Sequence, residues 1–279
     1  MRRLGLIAGG GALPIKVARH CASTRRGVFV LRLMGFADPE LSQFEGCDVG
    51  IAELGRGFDA LRRAACGSVC FAGNVTRPDL RRIRPDLRGL VALPGALLAA
   101  RRGDDGLLTY LLRQFEQEGF IVEGAHEVMG DLTLPPGALG LHHPTRAHLA
   151  DIERAMEVAR EIGRLDIGQG AVCCEGLVLA LEAQEGTDAM LKRVATLGPS
   201  IRGTPKARRG VLAKACKPGQ DQRVDLPTIG PATIRLAADA GLAGVAGDAG
   251  LMLVLDRQVV VDLADELGLF IVGVPKSST

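Results

Sequence analysis

The sequence predicts an α/β protein of two domains, and three observations predict it. Short apolar runs alternate with stretches of helical period through the first half, the pattern of a parallel sheet covered on both faces. The first run, residues 4–8, ends in Gly9-Gly10-Gly11 and leads directly into a helical stretch. The chain is apolar but almost ring-free: 47% of its 279 residues are hydrophobic, 3% are aromatic, and 37 are glycine. Disorder needs lower hydrophobicity, collagen needs a glycine period that is absent, and a stacking platform for single-stranded nucleic acid needs rings.

Taken in order, the first half reads as a strand over 4–8, a helix over 12–21 and a strand over 28–33. A strand over 49–52, a helix over 58–65 and a strand over 69–72 follow, the last ending in Gly73-Asn74-Val75-Thr76. A helix over 105–118 carries Leu107, Leu108, Leu111, Leu112 and Phe115 at helical spacing, and a strand over 121–123 closes the half. Strand, glycine turn and helix at its start make this half a Rossmann-like nucleotide-binding domain, residues 1–129. Residues 130–147 hold Gly130, Pro135-Pro136-Gly137 and Gly140 without a helical period and read as a linker.

The rest, 148–279, reads as a mixed α/β catalytic domain. Its first helix, 148–163, stripes Ile152, Ala155, Met156, Ala159 and Ile162 on one face. Strands over 171–174 and 177–181 flank Glu175-Gly176, a hairpin turn signal. Thr187-Asp188 caps a helix to about residue 195, and a strand spans 211–216. A helix (233–240), a strand (243–246), a helix (259–267) and a strand (269–272) complete the chain.

Lys plus Arg number 34 and Asp plus Glu 32, a net of +2, which argues against a nucleic-acid partner. The distribution is uneven. Seven arginines (77, 81, 82, 84, 88, 101, 102) face only Asp79 and Asp86 between residues 77 and 102, a local net of +5. This is either a solvated helix face or a patch for phosphates or an anionic membrane surface. The seven cysteines have no zinc-ribbon spacing and read as reduced, buried thiols of a cytoplasmic protein. No signal-peptide core follows Met1-Arg2-Arg3, and no run approaches the roughly 18 apolar residues of a membrane span. The expectation is a cytoplasmic protein, peripheral at most on the cytoplasmic face of the inner membrane.

Four constellations carry chemistry. The Gly9–Gly11 turn lets a backbone approach a pyrophosphate at a helix N-terminus, though Pro14 stands where the dinucleotide fingerprint wants glycine. Asp104-Asp105 precede a helix and either hold a divalent metal or cap it. Glu182, Glu185, Thr187 and Asp188 gather at the carboxyl end of a strand, where ligands bind in α/β sheets. Most informative is 214–225, where Lys214, Lys217 and Arg223 alternate with Asp221 and Asp225 directly after an apolar strand, and Pro218, Pro227 and Pro231 hold the path non-helical. Cations suit phosphate oxygens, and the two aspartates suit Mg²⁺ or an attacking water. His142-His143 read as surface and capping residues.

The segments GLIAGGGALP, GNVTRPDL, GDDGLL, LALEAQEGTDAM, KPGQDQRVDLPTIGPATI and GLFIVGV, in that order from residue 4 to 274, resemble the LpxI-type UDP-2,3-diacylglucosamine pyrophosphatases. The resemblance implies a two-domain, Mg²⁺-dependent hydrolase of lipid A biosynthesis. It would hold UDP-2,3-diacylglucosamine between its domains and release UMP and 2,3-diacylglucosamine 1-phosphate. It places the catalytic aspartate of the RVDLP motif at Asp225, with Lys214, Lys217 and Arg223 balancing charge. Gly10, Gly11, Asn74 and Thr76 would take the UDP part, with Gln169, Thr187 and Asp188 as further substrate contacts. Asp225, Asp221, Asp104 and Asp105 are the expected metal ligands, and a homodimer is a further expectation. Two other readings stay open: a sugar-nucleotide enzyme acting on a non-acylated UDP-sugar, and a UDP-sugar-binding module without catalysis.

Overall fold

The computed structural model describes residues 1–75, 84–101, 103–130, 132–217, 221–224 and 226–275. The chain divides into two compact units. One is Met1–Asp131 together with Asp221–Asp225; the other is Leu132–Gln220 with Leu226–Thr279.

The first unit runs β1 (Arg3–Ala8), α1 (Ala12–Ser23), β2 (Val28–Leu33), β3 (Gly46–Val49), α2 (Leu54–Arg63), β4 (Cys66–Ala72), α3 (Leu87–Ala100), α4 (Asp104–Gln117), β5 (Ile121–Val122) and α5 (Ala125–Met129). Its five strands are parallel in the order β3-β2-β1-β4-β5. The chain steps outward from β1 to β3, then returns to the other side of β1 as β4, so the winding reverses between β1 and β4. One face of the sheet buries Ile7, Leu31, Val49 and Val69 against Phe58 and Leu61 of α2 and Leu112 and Phe115 of α4. The few rings are concentrated here: Phe115 meets Phe58 and Phe71 edge-on, centroids 4.8 and 5.0 Å apart, a geometry that favours aromatic pairs.

Several elements differ from expectation: α2 spans 54–63 rather than 58–65, and α5 follows β5. The third strand is 46–49 rather than 49–52, because Gly50 donates its N–H to the Glu53 carboxylate at 2.6 Å and bends the chain. A helix, α3, occupies 87–100 within the arginine-rich stretch; it starts where the Asp86 carboxylate accepts the Gly89 N–H at 2.7 Å.

The second unit runs β6 (Gly137–Leu139), α6 (Arg146–Arg164), β7 (Gly170–Cys174), β8 (Leu177–Leu181), α7 (Gly186–Ala195), β9 (Val211–Lys214), β10 (Thr228–Ile229), α8 (Pro231–Asp239), β11 (Gly244–Asp248), β12 (Leu253–Val254), α9 (Arg257–Leu267) and β13 (Phe270–Val274). Its main sheet is ordered β6-β13-β11-β9-β7-β8. β13, β11 and β9 are mutually parallel, and the remaining strands pair antiparallel. Side chains alternate across it. Ala171, Cys173, Val211 and Ala213 pack under α6, whereas Val172, Leu212, Val245 and Ile271 pack under α7, α8 and α9. Burial on both faces explains why these strands are continuously apolar in sequence.

The hairpin expected at Glu175-Gly176 is present. Both residues have positive φ, 50° and 81°, the mirror-image turn that matches strand twist. Buried Asp151 of α6 accepts from the N–H groups of Glu175 (2.9 Å) and Gly176 (2.8 Å) and ties turn to helix. β6 lies within the stretch read as linker and pairs with β13. None of the seven cysteines is in a disulfide, and burial pushes the Cys66 and Cys173 thiols up to about 11. No helix among the described residues is long and apolar enough to cross a membrane.

Candidate active site

In the first unit the expected phosphate turn sits at the reversal between β1 and β4, the place where open parallel sheets bind ligands. Gly10 and Asn74 bridge the two strand ends, each N–H donating to the other's carbonyl at 2.9 Å. The approach demands glycine: Gly73 has φ +92°, and a Cβ there would stand 2.5 Å from the Gly10 carbonyl. Gly11, at φ +90°, is the N-cap of α1, and no side chain caps that end. The first-turn amides of Ala12 and Leu13 therefore point outward with the helix dipole, while Pro14 has none to offer. Gly10, Gly11 and Asn74 are thus brought together; Thr76 lies outside the described residues. Asp104 and half-buried Asp105 open α4 behind Gly103.

Residues 221–224 belong to this same unit. Val224 packs against the phenylalanine core. Arg223 grips Asp221 through Nε (2.9 Å) and a terminal nitrogen (2.6 Å), and reaches Glu116 of α4 at 2.8 Å. The Arg223 hydrogen bonds hold the Asp221 carboxyl below its ordinary range, and that carboxylate in turn raises the guanidinium. Asp225 lies outside the described residues.

The second unit gathers a different set. Lys214 ends β9 at 3% exposure. Its ammonium donates to Thr187 Oγ1 at 2.5 Å and stands 3.6 Å from Glu182 Oε1, and the Thr187 hydroxyl donates to that same oxygen at 2.7 Å. The cluster follows from register: Gly170 pairs with Lys214 across β7–β9, Glu182 N–H donates to the Gly170 carbonyl, and α7 brings Thr187 back over the strand ends. A Cβ on Gly170 would meet Glu182 Oε2 at 2.4 Å, so a larger residue there would displace that carboxylate. Two acceptors here are buried without a partner among the described residues, Glu182 Oε2 and Gln169 Oε1. Such groups cost a few kcal/mol, about 1–3 each, unless a ligand or water meets them.

Of the other expected residues, Asp188 is exposed in the first turn of α7, and Lys217 pairs with Asp166 at 2.7 Å. Two functional-looking carboxylates were not among the expected site residues. Glu182 was legible only as part of an acidic run. Asp248, 1% exposed at the end of β11, binds Arg160 (2.7 Å) and the Cys216 N–H (3.1 Å) and so fixes the chain just after Lys214.

Of the expected metal ligands, Asp225 lies outside the described residues, and Mg²⁺ bound with substrate phosphates needs only one or two carboxylates. No three His, Cys, Asp or Glu side chains among them converge on one point, and both Asp221 oxygens serve Arg223.

The model of the LpxI N-terminal domain matches residues 3–132, and that of the LpxI C-terminal domain matches 135–272. The UDP-2,3-diacylglucosamine pyrophosphatase LpxI of Caulobacter vibrioides is 62% identical over 274 residues, covering 98% of each chain. With both domain models laid along it and a relative matched nearly end to end, the chain belongs to the LpxI family.

Proposed function

We propose that this chain hydrolyses the pyrophosphate of UDP-2,3-diacylglucosamine to UMP and 2,3-diacylglucosamine 1-phosphate. One water is consumed: its oxygen joins one phosphorus, the P–O–P bridge breaks, and the bridging oxygen leaves with the other phosphate. The observation that carries this reading is the 62% identity over 98% of the chain to a pyrophosphatase of that substrate. The local chemistry supports it. The glycine turn at β1 and β4 supplies amides for the UDP phosphates. Buried Lys214, oriented by Thr187 and Glu182, supplies a fixed cation for charge that develops on phosphate oxygen, without reorganisation at the moment of reaction. Asp225, in the RVDLP motif, is the group we assign to orient the attacking water and accept its proton.

A divalent-cation requirement belongs to this proposal, because a pyrophosphate carries charge that Mg²⁺ offsets in phosphoryl chemistry. The test is UMP release from UDP-2,3-diacylglucosamine, with UDP-N-acetylglucosamine, EDTA and Asp225→Ala as separate arms. The expected outcome is turnover of the acylated substrate alone, lost in EDTA and in Asp225→Ala, with substrate still bound by the variant. Near-normal turnover by Asp225→Ala would overturn its role, full activity in EDTA would remove the cation, and turnover of the non-acylated sugar alone would replace the substrate.

A further inference from the structure

Helix α3 is built inside out. Five of its six large apolar side chains are exposed, Leu87 (84%), Leu90, Val91 (82%), Leu97 and Leu98, while Leu93 is half-buried. The exposed positions follow helical spacing and form one stripe, continued by exposed Pro94. The opposite face is made mostly of small residues, with half-buried Leu93 at its margin. Gly89 and Ala92 are buried, and Gly95 lets α4 approach so closely that a Cβ there would stand 2.5 Å from the Tyr110 hydroxyl. The Tyr110 hydroxyl donates to the Ala92 carbonyl at 3.0 Å and fixes that packing. The helix cannot simply be rotated, since the inward face is the one matched to its neighbours. A water-facing helix shows the reverse pattern, and soluble monomers seldom leave such a contiguous apolar patch uncovered.

Within the helix the one charge is Arg88; arginines gather at both ends, with exposed Arg84 before it and exposed Arg101 at its C-cap. From 77 to 102 the sequence holds seven arginines against two aspartates. An apolar stripe with cationic ends matches an anionic bilayer surface, where apolar side chains enter the acyl boundary and guanidinium groups meet headgroups. A second copy of this chain fits poorly. A two-fold contact through the stripe sets arginine-rich ends against arginine-rich ends in either direction. At 14 residues the helix is about 21 Å long, too short to span a bilayer. We infer that α3 is a membrane-docking helix that lies in the plane of an anionic lipid surface and buries the Leu87–Leu98 stripe in it.

The inference goes beyond the proposed reaction and is tested without turnover. The full-length protein is floated with vesicles of phosphatidylcholine, or of equal phosphatidylcholine and phosphatidylglycerol, at low and high salt. The expected result is co-flotation with the anionic vesicles, weakened by salt, and reduced about tenfold or more in Val91→Glu/Leu98→Glu. Leu149→Glu, at an exposed leucine on α6, serves as control and keeps wild-type flotation. Because the substituted side chains are exposed, the thermal midpoint should hold; Leu87→Glu repeats the test at the other end of the helix should the double variant fail to fold. The inference is overturned if the wild type does not float with anionic vesicles. It is equally overturned if flotation survives the glutamates, or if the glutamates instead abolish a dimer seen by light scattering of protein that binds no vesicle.

Discussion

At the scale of single residues the decisive feature is a buried cation whose neighbours are few and fixed. Lys214 is enclosed by Thr187, Glu182 and the Thr228 carbonyl. Burying an ammonium is costly unless it is paired and hydrogen-bonded. Replacing it with Met leaves the Glu182 carboxylate buried without its cation, so Lys214→Met should lower stability by about 3–5 kcal/mol. UMP release should fall about 10²–10³-fold, the usual cost of removing a preorganised electrostatic contact. Denaturant unfolding and steady-state rates check the two halves separately. Glu182→Gln is the finer probe. It keeps an oxygen for Thr187 but removes the charge, so it should fold and still lose turnover, chiefly in kcat. A variant with wild-type kcat would show that Glu182 only packs. The sequence marked Lys214 and Thr187 through their motifs, but Glu182 entered only as one of several acids. Nothing local separates it from Glu185, whose side chain pairs with Arg193 at the surface; the pairing of β7 with β8 and β9 does.

At the scale of elements, α6 illustrates how one helix serves two ends of a sheet. Asp151 satisfies both amides of the β7–β8 turn. Asp151→Ala leaves two turn N–H groups without that carboxylate and should cost about 2–3 kcal/mol, read as a lower urea midpoint. His148, in the first turn of α6, lies against the Phe270 ring (5.2 Å between centroids) and its Nδ1 accepts the Thr145 N–H at 3.2 Å. Burial holds its imidazole below the ordinary value of 6.5, with Asp151 opposing. The unfolded chain therefore takes up a proton first as pH falls. The stability this group contributes is complete above pH 6.5 and is lost as pH falls through the lower folded-state value. His148→Gln should flatten that acid-side decline, which urea midpoints across the range would reveal; an unchanged pH profile would remove His148 as its source. The helical stripe of α6 and the glycine turn of the hairpin were plain in the sequence, since both are short-range patterns. The inverted face of α3 was not, because an apolar run with arginines at its ends gives no sign of which face meets α4.

At the scale of the whole chain the informative fact is that 221–225 is counted with the first unit although its flanks belong to the second. Val224 is the anchor, partly buried against the cluster that holds Phe58 and Phe115. Val224→Ala should loosen the segment that presents Asp225, costing about 1 kcal/mol of stability and a larger share of kcat than of substrate affinity. If kcat is unchanged, the anchoring is structural alone.

Periodicity and turn chemistry decided much by themselves. Strand-turn-helix alternation, the Gly9–Gly11 turn, the Glu175-Gly176 hairpin and the charged 214–225 segment are local, and local patterns survive in a linear sequence because period and φ preference act over a few residues. Long-range pairing decided the rest. That β4 lies beside β1 and closes the glycine turn through Asn74, that Gly170 opens space for Glu182, that Asp248 holds the backbone after Lys214, and that α3 turns most of its leucines outward all depend on which strands and helices become neighbours. No residue carries that information alone, because burial and hydrogen-bond partnership are properties of pairs that only the folded chain brings together.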